Sequence, residues 1–243
     1  MTTTTHQTST RQSTVHVVLV PGFWLGGWAW DDVLPGLTAA GLTPHAVTLP
    51  GMLGGADRPV VTLDDHVHAV VDLVDSLEGE VVLVGHSGGG VVVHSVVDRR
   101  PDRVRRAVYV DSGPMRDGVV LEPGATQDIV LPSWSDLEAA ESSTDGLDDD
   151  ARAQFERRAV PQPAGVASAP IRLTDERRLS VPITLICTSF PSEVVQQLVA
   201  AGNLPSETPA IADVEYVDLP TGPWPMFSRP ADLAAAIAAA ARR

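Results

Sequence analysis

The sequence predicts an α/β fold: a mainly parallel central sheet flanked by helices, with a mostly helical cap insertion. Three observations predict it. Short apolar runs alternate with segments of helical periodicity, the signature of strand–helix–strand units. Those runs are rich in Val, Ile and Leu, as strands buried on both faces are. Between one run and the next helical pattern stands Gly85-His86-Ser87-Gly88-Gly89, a sharp strand–turn–helix junction.

The elements follow in order. Val15–Val20 and His45–Leu49 read as the first two strands. Leu63, Val67, Val70, Val74 and Leu77 then recur at helical spacing. Thr62 stands at the N-cap of that helix, and Asp65 falls where a capping box puts its acid. Val81–Val84 is the next strand, followed by Gly88 to Asp98, apolar nearly all round as a helix buried against a sheet is. Ala107–Val110 is a fourth strand. From about Gly113 to Leu179 the alternation breaks, with no convincing strand, Trp134 inside it, and an acidic run, Asp145–Asp150, read as a solvated face. Ile183–Cys187 and Val214–Val217 resume the strands. The last helix has Pro230 near its first turn and Arg242–Arg243 at its end, both favourable there. The chain thus divides into a disordered lead rich in Thr, Ser and Gln (1–13), a core (14–113 and 180–243) and a cap insertion (114–179).

Composition narrows the chemistry. The 243 residues carry 17 basic side chains, all arginine, against 31 acidic ones, for a net charge of −14. Without lysine there is no Schiff-base enzyme and no Walker-type phosphate loop. With Cys187 as the one cysteine there is no intrachain disulfide and no cysteine-rich zinc site. The acidic balance argues against a nucleic-acid partner. No run approaches the ~18 apolar residues of a membrane span. The expectations are a cytoplasmic protein, a small-molecule substrate, no cofactor and no metal, with a homodimer left open.

The junction at Gly85–Gly89 is G-x-S-x-G in its proper context, a nucleophile elbow with Ser87 at its tip. Its glycines let strand and helix approach closely, and the helix N-terminus faces the reacting oxygen. A dinucleotide fingerprint from Gly85 fails, because it would need glycine at Ser87. Right after the first strand comes Pro21-Gly22-Phe23-Trp24-Leu25-Gly26-Gly27-Trp28. With that loop the chain resembles the α/β-hydrolase superfamily, and within it the small esterases and hydroxynitrile lyases. Val108-Tyr109-Val110-Asp111 and Thr221-Gly222-Pro223-Trp224-Pro225-Met226-Phe227-Ser228 fit the same group, so the resemblance covers about residues 14–243. It implies an oxyanion hole built from the backbone N–H of Phe23 and of Gly88. Two such donors are worth ~3–4 kcal/mol apiece in acyl transfer.

The resemblance also implies a base, and here the chain departs from the group. The relatives carry histidine in a T-G-H-W-P-M segment, where this chain has Pro223. All seven histidines lie at or before His94. His86 and His94 read as packed core residues, and His66 and His68 as surface residues facing different sides of one helix. For the acid, the four residues that follow Ile183–Cys187 are Thr188, Ser189, Phe190 and Pro191, with no Asp among them. Asp111, at the end of the fourth strand, is an alternative position, and Glu193 reads as a helix-start acid. Losing Ser or His from a serine-protease triad costs on the order of 10⁶ in rate, with ~10³–10⁴ over water remaining.

Three readings stay open. One is an enzyme that uses Ser87 and the oxyanion donors to polarise a carbonyl without forming an acyl-enzyme. Asp111 or substrate groups would move the proton, in cyclisation, dehydration, decarboxylation or lyase-type cleavage of the kind natural-product pathways use. Phe23, Trp24, Trp134, Trp224 and Phe227 are the candidates for its apolar wall. The second is a weak esterase or lactonase with a substitute base. The third is a ligand-binding pseudoenzyme, like hormone receptors on this fold.

Overall fold

The computed structural model describes residues 14–54, 60–140 and 142–243; the lead 1–13 lies outside them. Six strands form one all-parallel sheet: β1 (Val15–Val20), β2 (Thr43–Ala46), β3 (Glu80–His86), β4 (Val104–Val110), β5 (Ile183–Cys187) and β6 (Val214–Asp218). Their order across the sheet is β2-β1-β3-β4-β5-β6. Nine α-helices accompany them: α1 (Leu34–Ala39), α2 (Leu63–Ser76), α3 (Gly89–Arg99), α4 (Trp134–Ala139), α5 (Asp149–Arg158), α6 (Ala164–Ala167), α7 (Ser192–Ala200), α8 (Pro225–Ser228) and α9 (Pro230–Ala241), among the described residues.

Alternate strand residues face opposite cores. Val18, Val20, Leu83, Tyr109 and Leu185 pack with α2 and α3 on one side. Val17, Leu19, Val84, Val108 and Ile186 pack on the other side with α1, α9 and with Leu137 of α4 and Phe155 of α5. This double burial is why the strands carry continuous apolar runs.

Several boundaries differ from the sequence expectation. The second strand is Thr43–Ala46, not His45–Leu49. The chain leaves the sheet after Val47, and the Thr48 hydroxyl turns to accept the Gly27 N–H at 2.9 Å. β3 runs through His86 and β4 starts at Val104, both longer than the apolar runs suggested. His66 is a clear correction. It is buried, not on the surface, and its Nε2 is 2.9 Å from the Pro50 carbonyl. His68 is exposed and pairs with Asp64 at 3.1 Å.

The insertion is less helical than expected: α4, α5, α6 and a 3₁₀ turn at Glu176–Ser180 are set in irregular chain. Its acidic run has a structural use. Asp148 caps α5, accepting from Ala151 N–H at 2.8 Å, and Asp149 and Asp150 lie in the first turn.

Beneath the sheet lies a buried polar network. His94 on α3 meets the Tyr109 hydroxyl through Nδ1 (2.8 Å) and Glu207 through Nε2 (2.9 Å). Arg178 clamps Glu207 with two bonds, 2.9 and 2.7 Å, and reaches Asp98 at 3.3 Å. Burial works to raise the Glu207 carboxyl, but His94 and Arg178 outweigh it and lower it to about 2.

Candidate active site

Strand order reverses direction between β1 and β3, and ligands of open α/β sheets bind beyond the carboxyl ends of strands at such a point. The loops that leave β1 and β3 there are the glycine-rich loop and the elbow. A cavity of about 640 Å³ opens at this edge, lined by Phe23, Trp24, His86, Ser87, Asp111, Ser112, Cys187, Ser189, Pro223 and Trp224 among others. A second cleft of about 710 Å³, beside Trp28, Arg157 and Arg158, contains none of these residues.

The backbone marks the same place. Among the described residues, three non-glycines have positive φ: Trp24 (66°), Ser87 (47°) and Asp111 (46°). All three line this cavity. Residues held in the left-handed region cost of order 1–3 kcal/mol each and cluster at functional sites. Ser87 sits so because β3 must turn at once into α3. The turn closes with Ser87 N–H on the Val110 carbonyl (3.0 Å) and Gly90 N–H on the Ser87 carbonyl (2.9 Å). Gly89 permits the approach: a Cβ there would lie 2.6 Å from the Val20 carbonyl oxygen and 2.5 Å from that of Pro21.

Ser87 is exposed to the cavity, and its hydroxyl makes no hydrogen bond among the described residues. The backbone N–H groups of Phe23 and Gly88 likewise have no acceptor among them, which leaves both available as donors. Gly88 lies against the Phe23 ring, which a Cβ at 88 would strike at 2.6 Å.

His86 is buried beside Ser87, with both ring nitrogens engaged. Gly22 N–H donates to Nδ1 at 3.3 Å, so Nε2 carries the proton and donates it to the Pro223 carbonyl at 2.7 Å. Burial lowers its basicity, outweighing the opposite pull of Pro223 and Asp111. It ties two loops together and has no lone pair left for Ser87. Asp111 accepts from Thr188 Oγ1 (2.8 Å), Ser189 N–H (3.1 Å) and Ser189 Oγ (3.0 Å), which fixes it to the loop after β5. Glu193 lies in the first turn of α7.

The aromatic candidates divide. Phe23, Trp24 and Trp224 line the cavity. Trp24 also donates its Nε1–H to the Ile129 carbonyl at 2.9 Å. Trp134 and Phe227 do not line it. They pack behind it around Phe155, 5.6 and 5.7 Å from its ring, and Phe227 also stacks on Trp28 at 5.7 Å. Sequence reasoning missed the apolar wall from α7 and its flanks, Val195, Val199, Phe190 and Leu204. Val195 and Val199 stand four apart on a helix whose exposed positions include Gln196 and Gln197, a pattern that carried the signal. Among the described residues no group of three or more His, Cys, Asp or Glu is placed to hold a metal. No helix among them is long and apolar enough to cross a membrane.

Residues 17–236 match the model of the alpha/beta hydrolase family, and the chain belongs to that family. It is 39% identical over 101 residues to a carbendazim hydrolyzing esterase of Nocardioides sp. (strain SG-4G), a match covering 39% of this chain and 40% of that protein. It is 34% identical over 105 residues to a putative chloroplastic methylesterase of Arabidopsis thaliana, covering 42% of this chain and 30% of the other. In both cases the chain spans well under half of the relative's length. Over nearly the whole chain it superposes on a pyrethroid hydrolase from Sphingobium faniae JZ-2, with TM-score 0.68, 25% identity and coverage of 94% and 98%.

Proposed function

We propose that this protein binds a small, largely apolar carbonyl- or ester-containing metabolite in the cavity at Ser87, and transforms it without a histidine-generated acyl-enzyme. The observation that carries the reading is the pairing of His86 with Pro223. On this reading Pro223 stands where the relatives keep their base, and the nearest imidazole is spent on its backbone carbonyl. The substrate's carbonyl oxygen would sit between the N–H groups of Phe23 and Gly88, with the Ser87 hydroxyl as a further donor. That arrangement draws electrons from the carbonyl carbon and stabilises an enolate or alkoxide. Asp111, or a group of the substrate itself, would move the proton. Cyclisation, dehydration, decarboxylation and lyase-type cleavage all meet these terms.

A slow esterase is the second reading, favoured by the hydrolytic names of the relatives. Turnover of p-nitrophenyl butyrate separates the two. It is expected about 10⁶-fold below that of an enzyme with a complete triad. A rapid burst of p-nitrophenol that disappears in Ser87→Ala would overturn the proposal in favour of the esterase. Tight binding of carbonyl ligands with no turnover of any would identify a pseudoenzyme instead.

A further inference from the structure

The cavity wall has an unusual charge inventory. Its ionisable side chains are His86, Asp111 and Cys187, and no arginine lines it. His86 is held neutral by its two hydrogen bonds. The Cys187 thiol is pushed up to about 11 by burial, with Asp218 and Asp111 adding to the effect. Asp111 accepts hydrogen bonds from neutral donors only, and none of its contacts is a guanidinium or an imidazole. The site therefore holds one carboxylate with no counter-ion, in a wall whose other side chains are neutral, apolar or hydroxyl-bearing, where a second charge is felt more strongly than in bulk water. Trp24 and Trp224 border the same space. The chain's net charge of −14 acts in the same sense at long range.

We propose that the cavity selects its ligand by charge: Asp111 admits neutral carbonyl compounds, favours those that carry a protonated amine, and rejects free carboxylates. This inference rests on the reading of the cavity as a carbonyl-binding site. It gives Asp111 a role apart from any proton transfer. It also implies that a carboxylic acid formed here would be expelled, and it removes decarboxylation, whose substrate is itself a carboxylate, from the reactions open to this site.

The test is a calorimetric titration of the full chain with three probes on one skeleton: 3-phenylpropanoate, its methyl ester, and that ester bearing a para-aminomethyl group. The expected order of affinity is aminomethyl ester, plain ester, acid, with the acid weaker than the plain ester by about tenfold or more, as a like charge within about 6 Å imposes. Asp111→Asn should shrink that gap to below about threefold. An acid that binds wild-type protein within about threefold of the ester overturns the proposal, and so does a gap that persists in Asp111→Asn. If that variant does not fold, salt serves on the wild type. The advantage of the aminomethyl ester should fall as ionic strength rises, and an advantage indifferent to salt counts against Asp111. Should none of the three bind, the carbonyl-site reading itself fails and the charge proposal falls with it.

Discussion

Pro223 and Gly89 show how much single residues decide here. The backbone at Pro223 is tethered beside the elbow by His86, and Pro223 lines the same cavity as Ser87. On the proposed reading, Pro223→His should raise p-nitrophenyl ester turnover by about 10²-fold over wild type, the lower range for a positioned general base. Adding Ser87→Ala to that variant should abolish the gain. A gain that survives loss of Ser87 would show that the imidazole acts elsewhere. Gly89 is a matter of space. Gly89→Ala would press a methyl against the carbonyls of Val20 and Pro21, and a loss of about 2 kcal/mol is expected from urea unfolding. An unchanged midpoint would mean that β1 and α3 can separate without cost.

At the scale of elements, α2 is the helix whose boundaries are written most directly in the chain. Thr62 and Asp65 form the reciprocal capping box that their spacing predicts. Thr62→Ala should cost about 1 kcal/mol in urea unfolding, whereas Thr62→Ser should cost little. Equal losses in both variants would point to the methyl group and not the cap. The same helix explains the correction at His66. Leu63, His66, Val70 and Val74 share one stripe at i, i+3, i+7 and i+11, so His66 points inward with them. The polar residue name obscured a position that the period already assigned to the core. The missed extent of β3 and β4 has a different cause. The residues missed include Glu80, His86, Arg105 and Arg106, whose side chains pair or hydrogen-bond outside their own strand, so they carry no apolar signal and cut Val104 off from the run that follows.

At the scale of the molecule, the cavity and the network beneath the sheet are both products of assembly. The network joins α3, β4, the Glu176–Ser180 turn and Glu207, segments up to 113 residues apart in sequence. Glu207 has its ordinary value near 4.5 lowered to about 2, so the unfolded chain takes up its proton more readily than the folded one. Its stabilising effect is complete above about pH 4.5 and is lost as pH falls toward about 2. Thermal melts should therefore drop through that window, and Glu207→Gln should flatten the drop. At neutral pH the same variant should lose about 3 kcal/mol, because it leaves Arg178 buried with half its clamp gone. A melting profile with the same acid slope in both proteins would remove Glu207 as its cause.

The sequence by itself determined the fold class, the elbow at Ser87, the loop at Phe23 and Trp24, and the absence of any histidine after His94. These are local: a strand, a turn or a missing residue type can be read from neighbours along the chain. Only the tertiary structure decided that Trp24, Ser87 and Asp111 converge with strained backbones on one cavity, that Trp134 and Phe227 stand behind its wall, and that His86 is spent on Pro223. The physical reason is distance along the chain. His86 and Pro223 are 137 residues apart, and which of several polar groups a buried imidazole bonds depends on loops that only the closed sheet brings together.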